Sequence, residues 1–195
     1  MAQNSQSGRR LLRLKETLSA KHLSGDNEIV EAVVAVILHE ETHSDLNVLL
    51  IHRAERTDDP WSGQIGLPGG KVEQSDSSAR AALKREVREE VGLDLDEEGE
   101  ELGTLSLGSP MRRLDVKVQP WVYGLHRSPE IRTGPEVQEA FWVSLSRLPS
   151  LRTTTQIEVG GTRRVVEAFL VDRHVVWGFT HRVLNELLAV EDVAN

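Results

Sequence analysis

The sequence predicts one α/β domain, of the α+β or α/β type, with a mixed β-sheet. Three observations favour this fold class. Apolar β-branched runs and helical patterns are interspersed along the chain, no segment repeats, and no linker-like stretch divides the 195 residues. Hydrophobic residues make up 38% and charged residues 28%, which is the composition of a chain that buries a core. We therefore expect an N-terminal tail and short helix over residues 1–24 and a single domain over residues 25–195.

Three segments carry helical periodicity. Leu11, Leu14 and Leu18 recur at helical spacing among basic residues, which predicts a short amphipathic helix. We expect this helix to pack on its own domain rather than on a partner protein. A second helical pattern covers residues 77–91, and a third begins near Thr180 at the C-terminal end.

The remaining apolar runs predict strands. A β-branched apolar run over 29–38 and a second apolar run over 46–51 are joined by a polar stretch, which predicts a hairpin or two adjacent strands. Further strands are predicted over 102–107, 116–125, 137–143, 154–159 and 163–171. The glycine pair at 160–161 predicts a hairpin turn between the last two.

Composition excludes several classes of function. A net charge of −8 and a pI of about 5.4 argue against a nucleic-acid-binding surface. The chain has no cysteine, which excludes disulfides, thiol nucleophiles and cysteine-ligated zinc. The longest apolar run, over 32–38, is far shorter than a membrane span, and the N-terminus has no apolar signal core. We therefore expect a cytoplasmic protein with no membrane or nucleic-acid partner.

Three glutamates in the second predicted helix point to metal chemistry. Glu86, Glu89 and Glu90 share one helix face, because an α-helix repeats every 3.6 residues. Carboxylates so close to one another repel unless a positive charge lies among them. A hard divalent cation with oxygen ligands, Mg²⁺ or Mn²⁺, suits this arrangement and also binds substrate phosphates.

The alternative for these glutamates is an ordinary solvated acidic face, in which Arg85 pairs with Glu89 one turn away. The surroundings favour the metal site. A Pro-Gly-Gly loop at 68–70 precedes the helix, Asp76 lies where an N-terminal cap or first-turn acid belongs, and Gly92 follows as a stop.

The segment from the glycine pair through this helix resembles the Nudix box of the Nudix hydrolases. The matching positions are Gly70, Arg85, Glu86, Val87, Glu89, Glu90, Gly92 and Leu93. Asp76 stands in place of the first glutamate of the box, and eight residues separate it from the arginine. The resemblance implies an α/β/α sandwich, in which the box forms a loop–helix–loop catalytic motif.

The flanking residues resemble one branch, the coenzyme A diphosphatase-like Nudix proteins. The similar stretches are Leu49-Leu50 with Arg53-Ala54, and residues 59–64 leading into 67–70. The implied activity is cleavage of a nucleoside diphosphate linked to another group. Coenzyme A or an acyl derivative is the leading substrate, with 3′,5′-ADP and a 4′-phosphopantetheine as products. ADP-ribose, dinucleotides and nucleotide sugars stay open, as does a non-catalytic nucleotide-binding module. The resemblance also leaves a homodimer open.

The resemblance assigns roles to the box residues. It implies Glu86, Glu89 and Glu90 as ligands of Mg²⁺, with Mn²⁺ as a substitute and a backbone carbonyl near Gly69 helping. Either Glu86 or Glu89 is the expected general base. Gly70 is expected to let the loop backbone approach the metal.

Arg85 is expected to be structural, through a pair with Asp76 or Glu89 that fixes the loop against the helix. Gly92, as the helix stop, completes the structural part of the motif.

Residues outside the box are candidates for substrate binding. Arg53 and Arg56 have the chemistry to bind phosphate oxygens, although ordinary surface arginines are the alternative. Trp61 is a candidate for stacking on a base or pantetheine arm, or else an anchor of its own loop. Glu136 and Glu139 are second candidates for a base or an extra ligand, against the alternative of surface acids before a strand.

Overall fold

The computed structural model describes residues 8–21, 30–40, 45–57, 61–111, 113–127, 129–159 and 161–194. Its helices are α1 (Arg9–Lys21), α2 (Ala79–Val91), α3 (Leu95–Glu98) and α4 (Gly178–Ala194), with a 3₁₀ helix over Leu145–Leu151. Its strands are β1 (Ala32–Glu40), β2 (Leu46–Arg53), β3 (Ile65–Gly66), β4 (Gly69–Lys71), β5 (Gly99–Thr104), β6 (Val118–Leu125), β7 (Val137–Ser144), β8 (Arg152–Val159), β9 (Thr162–Val171) and β10 (His174–Trp177).

The first seven strands form one mixed sheet and the last three form a second sheet. In the first sheet β1 pairs with β6 in parallel and with β2 in antiparallel fashion. β5 follows β6 at one side, and β7 pairs along β2 at the other. The second sheet has the order β10-β9-β8, and all of its pairs are antiparallel. The mixed sheet and its covering helices confirm the predicted fold class.

β1 and β2 separate after a short paired segment, and two small strands fill the gap between them. β4 pairs with the start of β1, where Gly69 lies opposite Val34 and Gly70 opposite Val33. β3 pairs with the end of β2. The carbonyl of Pro68 also accepts a hydrogen bond of 2.7 Å from the amide of Ala35. The glycine loop is thereby built into the sheet immediately before α2.

Alternation along the strands gives the first sheet two buried faces. Even-numbered residues of β1, such as Val36, point to a core shared with α1 and α4, and Leu14 and Leu18 of α1 are fully buried there. Odd-numbered residues, such as Ile37, point to a second core shared with α2. Val87 of α2 is fully buried in that second core. The helix that carries the three glutamates therefore lies on its own face of the sheet.

Most predicted elements occur, with shifted ends. The first predicted pair of strands forms the antiparallel β1–β2 pair, and β8 pairs with β9 across the predicted turn, of which Gly160 lies outside the described residues. The strand predicted over 102–107 begins instead at Gly99, because the short helix α3 leads directly into it. Sequence patterns did not predict β3, β4, α3, β10 or the 3₁₀ helix, which are too short to show a period.

In the part of the chain that is described, no helix has both the length and the apolar character needed to cross a membrane.

Candidate active site

Capping groups at both ends fix the limits of α2. Ser78 has extended backbone angles, and its hydroxyl accepts a hydrogen bond of 3.1 Å from the amide of Ala81. The N-cap is therefore Ser78. The expectation from the sequence that Asp76 is the cap or a first-turn acid was wrong. At the other end Gly92 adopts a left-handed conformation with φ of 71°, and its amide donates to the carbonyl of Arg88. Gly92 is thus the helix stop that the sequence predicted.

Asp76 and Arg85 join the loop before α2 to the helix itself. Nε of Arg85 donates to Oδ1 of Asp76 at 3.1 Å, and Nη2 donates to Oδ2 at 3.0 Å. The same Nη2 lies 3.2 Å from the carbonyl oxygen of Lys71 in β4. Asp76 also accepts from the amide of Glu73, which closes the turn. These hydrogen bonds lower the pKa of Asp76, the Arg85 contact contributing most.

Glu90 is the most buried of the three glutamates, with 3% of its surface exposed. Oε2 accepts a hydrogen bond of 2.8 Å from the amide of Gly69, and Oε1 lies 3.3 Å from Nη1 of Arg53. Burial raises the pKa of Glu90 to about 7. The Gly69 amide and Arg53 oppose this rise, whereas the charges of Glu86 and Glu136 add to it. A carboxylate held in this way is poorly neutralised by its present neighbours.

Glu86 lies against the glycine pair. A Cβ placed on Gly70 would meet Oε1 of Glu86 at 2.4 Å, so only glycine fits there without displacing the carboxylate. Nη1 of Arg85 donates to the same Oε1 at 3.0 Å. Burial raises the pKa of Glu86, and the charges of Glu89 and Glu136 act in the same direction. Two of the three glutamates therefore have carboxylates that border the Gly69–Gly70 loop.

Glu89 differs from the other two because its side chain is 61% exposed. Its contact is a pair with Arg85 one turn earlier, with 3.4 Å between Nη1 and Oε2. The side chain can therefore reorient at little cost in packing.

A loop between β6 and β7 is hydrogen-bonded to the C-terminal end of α2, and sequence patterns did not predict this contact. The amide of Gly134 donates to the carbonyl of Glu90 at 2.9 Å, and the amide of Arg132 donates to the carbonyl of Val91 at 3.1 Å. A Cβ on Gly134 would lie 2.0 Å from the carbonyl oxygen of Glu89, so this position requires glycine. The loop satisfies helix carbonyls that lack intrahelical partners.

Glu136 is brought to the box by that loop. Its carbonyl accepts a hydrogen bond of 2.9 Å from the amide of Ala54, which follows β2. Its carboxylate accepts from Nη1 of Arg56 at 2.8 Å. The charge of Glu136 also acts on both Glu86 and Glu90. Of the two acids outside the box that were candidates for a base or an extra ligand, Glu136 is therefore the one that lies beside the box.

Glu139 lies on the opposite face of the sheet. Its carboxylate contacts Arg173 at 2.7 Å and Nε2 of His174 at 3.4 Å. His174 stacks on Phe141, which packs against the α4 core rather than the α2 core. The structure thus separates Glu139 from the three glutamates of the box.

The remaining substrate-binding candidates lie around the end of β2. Arg53 belongs to β2 itself, and its amide donates to the carbonyl of Gln64 at 3.0 Å. The amide of Arg56 donates to the hydroxyl of Ser62 at 2.8 Å. Trp61 is half-buried, and its carbonyl accepts from the amide of Gln64, which closes the turn. Arg53, Arg56 and Trp61 therefore lie close together at the end of β2 and in the loop that follows it.

The donor set suits a hard divalent cation, although it is not assembled as a metal centre. No group of three or more acidic or histidine side chains in the described segments is arranged to hold a metal ion. Arginines contact the carboxylates instead: Arg85 contacts Glu86 and Glu89, and Arg53 contacts Glu90.

Charge supports the fit to a cation. Five acids form the cluster, namely Asp76, Glu86, Glu89, Glu90 and Glu136, and the three arginines that contact them are Arg53, Arg56 and Arg85. Negative charge is therefore in excess at a site lined by oxygen donors, which are the ligands that Mg²⁺ and Mn²⁺ prefer.

Comparison with known proteins gives a family match. Residues 29–164 match the NUDIX domain family. A protein of Photorhabdus laumondii, described as an uncharacterized Nudix hydrolase, is 28% identical over 173 residues, which cover 86% of this chain and 87% of that protein. A peroxisomal coenzyme A diphosphatase of Caenorhabditis elegans is 31% identical over 119 residues, which cover 60% of this chain and half of the worm protein.

Solved structures show the same fold. A MutT/nudix family protein from Enterococcus faecalis superposes with a TM-score of 0.53 at 23% identity, over 98% of this chain and 76% of that one.

Proposed function

Because the chain belongs to the Nudix hydrolase family, we propose that it is a Mg²⁺-dependent diphosphatase acting on coenzyme A or its acyl derivatives. Nudix hydrolases generally use divalent metal ions such as Mg²⁺ and act on small nucleotide substrates. The observation that carries the metal-dependent part is the excess of carboxylates beside the Gly69–Gly70 loop. The similarity to a coenzyme A diphosphatase supports the choice of substrate.

The ligands of the cation in this proposal are Glu86, Glu89 and Glu90, together with a backbone carbonyl near Gly69. A bound cation supplies charge neutralisation for the diphosphate and makes a water molecule more acidic. Rotation of the exposed Glu89 side chain toward Glu86 would complete the oxygen cluster.

The protein's own residues move the proton. Water attacks one phosphorus of the diphosphate, the bond from that phosphorus to the bridging oxygen breaks, and a carboxylate takes the proton of the water. We assign this role to Glu86, because its carboxylate borders the Gly69–Gly70 loop, and one of its two oxygens can take the proton while the other binds the cation. Glu89 is the other box residue expected as a base. Glu136 is the alternative base, since it lies outside the ligand set and its charge acts on Glu86. The products from coenzyme A are 3′,5′-ADP and 4′-phosphopantetheine.

Substrate recognition falls to the loop after β2. Arg53 and Arg56 carry guanidinium groups suited to phosphate oxygens, including the 3′-phosphate of coenzyme A. Trp61 in the same loop offers a surface for the pantetheine arm or the adenine ring. In this proposal Asp76, Arg85, Gly70 and Gly92 hold the box in shape without touching the substrate.

Product analysis tests the proposal. Purified protein is incubated with Mg²⁺ and, separately, with coenzyme A, ADP-ribose, a dinucleotide and a nucleotide sugar, and the products are identified by chromatography and mass. We expect 3′,5′-ADP from coenzyme A at the highest kcat/KM. Better cleavage of another substrate would support the diphosphatase activity and overturn the assignment of coenzyme A as the substrate. A failure to cleave any diphosphate would support a binding module.

Single substitutions test which residues act as metal ligands and which acts as the general base. Glu90→Gln is expected to lower kcat by about a hundredfold or more, because it removes a ligand charge. Glu100→Gln is the matched control, since Glu100 is an exposed acid of β5 that pairs with Lys15. Replacing Glu86 and Glu136 separately by Gln distinguishes the two candidate bases, because the loss of the base also removes the acidic limb of the pH–rate profile. Equal activity of Glu90→Gln and wild type would contradict the metal-ligand assignment.

A further inference from the structure

The outer strand of the second sheet has an open edge. Among the residues that the structure describes, β8 has β9 as its one strand neighbour, and its other side faces no strand. The strand is eight residues long, and five of its polar side chains are exposed (Arg152, Thr153, Thr154, Gln156 and Glu158). Natural edge strands are usually protected by charged side chains, proline, a bulge or short length. β8 contains no proline, its pairing with β9 has no register shift, and its two charged residues, Arg152 and Glu158, have opposite signs.

The register with β9 identifies which main-chain groups lie on the open edge. Val159 pairs with Thr162 across two intervening residues, and the closing pair of such a two-residue hairpin is hydrogen-bonded. Bonded and non-bonded pairs then alternate along an antiparallel ladder. Thr155, four residues from the closing pair, thus directs its amide and carbonyl to β9. Residues 152, 154, 156 and 158 direct theirs to the open edge.

The sequence of this edge is complementary to itself. If a second β8 lies antiparallel about a twofold axis at Thr155, open-edge residues meet open-edge residues, as a hydrogen-bonded ladder requires. In that register Arg152 lies opposite the second copy's Glu158, and Glu158 lies opposite the second copy's Arg152. Thr154 lies opposite Gln156 in the same way. No like charges oppose each other, and the Arg152–Glu158 ion pair forms twice by symmetry.

We propose that two copies of this chain associate through their β8 strands, antiparallel about Thr155, so that their second sheets join into one continuous sheet. About eight main-chain hydrogen bonds would form, since each bonded antiparallel pair contributes two. The present contacts of the two charged residues are compatible with this pairing. The guanidinium of Arg152 lies 5.6 Å from the ring centre of Phe169. Arg152 and Glu158 are six residues apart in the strand, so both lie on the same face of the sheet.

Charge reversal tests the register. Analytical ultracentrifugation from micromolar to submillimolar protein measures the dimer dissociation constant of the full chain. Arg152→Glu and Glu158→Arg are each expected to weaken the dimer by about tenfold or more, because two cross-strand pairs change from attraction to repulsion. The double variant R152E/E158R restores both pairs in reversed order, and we expect it to recover dimerisation. Thr154→Pro removes an open-edge amide and is expected to give a monomer.

Two controls separate this interface from other effects. Arg127→Glu changes the same charge at an exposed position after β6 and is expected to leave the dissociation constant unchanged. Circular dichroism confirms that each variant is folded, and recovery in the double variant excludes misfolding as the cause of dissociation. A wild-type protein that is monomeric throughout, or a dimer that the single reversals leave intact, would overturn the proposal. Hydrolase activity is measured separately and does not decide it.

Discussion

Glu90 combines deep burial with a negative charge that its neighbours only partly offset. Because its pKa rises from 4.5 to about 7 on folding, the folded protein prefers the protonated carboxyl. Ionisation of Glu90 therefore costs no stability below pH 4.5. The cost grows as pH rises and is fully present above pH 7, where it reaches about 3 kcal/mol.

This cost of ionising Glu90 at high pH predicts how the stability of the Glu90→Gln variant changes with pH in metal-free protein. We expect the variant to be more stable than wild type above pH 7, and the difference to shrink as pH falls toward 4.5. Urea unfolding at several pH values in the presence of a chelator measures it. Glu89→Gln, on the same helix face but exposed, is the control, for which we expect a much smaller difference. A difference for Glu90→Gln that does not change with pH would contradict the expectation.

Sequence reasoning at single positions succeeded where chemistry is local. The pairing of Arg85 with Asp76 and the stop at Gly92 follow from neighbours in the chain. It failed for Asp76 as a cap, because Ser78, two residues later, presents its hydroxyl to the free amide of Ala81. Spacing alone does not decide between two cap-forming residues so close together.

At the scale of elements, the position of the loop between β6 and β7 depends on the absence of a side chain at Gly134. We predict that Gly134→Ala displaces the loop from α2, because its Cβ would lie 2.0 Å from the carbonyl oxygen of Glu89. Overpacking of this kind costs about 1–3 kcal/mol. Since the loop also carries Glu136, we expect activity to fall with stability.

Thermal unfolding and steady-state kinetics measure both effects of Gly134→Ala. Gly99→Ala is the matched control, because a Cβ there meets its neighbours at ordinary contact distances of 3.4–3.5 Å. If Gly134 acts through Glu136, the double variant with Glu136→Gln is no less active than Glu136→Gln alone. Additive losses of activity would instead indicate a general effect on α2.

A bulge explains why the sequence did not separate Glu136 from Glu139. The β2–β7 register shifts so that His52 lies opposite Glu139, whereas Arg53 lies opposite Val137. The extra residue turns Val137 toward α2 and Glu139 toward the other face. An alternating pattern read from the chain contains no sign of such a shift. The two- and three-residue strands β3 and β4 were not predicted for a different reason, since they are too short to show an alternating pattern.

At the scale of the whole molecule, α1 is part of the larger core. Leu14 and Leu18 are fully buried beside residues of α4 such as Leu184. We predict that Leu18→Ala lowers the free energy of unfolding by about 2–5 kcal/mol, as expected for a large-to-small change in a core. Chemical denaturation checks this value. Leu12→Ala, at an exposed position of the same helix, is the control and should change stability little.

The overall architecture was predictable because long periodic segments define it. The packing of α1 on its own domain followed from three leucines at helical spacing, and the β1–β2 pairing followed from two apolar runs. The parallel β1–β6 pair was not predictable in detail, because it joins segments about eighty residues apart.

If the box binds a cation as proposed, its arginine contacts would make it a site of ion exchange. Without a cation, Arg53 and Arg85 serve as the counter-ions of Glu90, Glu86 and Glu89. A divalent cation that took over those carboxylates, as in the proposed function, would release the positive charge of Arg53 toward an incoming anion. Linkage then requires each ligand to raise the affinity for the other. We expect calorimetry to find tighter Mg²⁺ binding in the presence of a non-hydrolysable diphosphate, and Arg53→Gln to reduce that coupling.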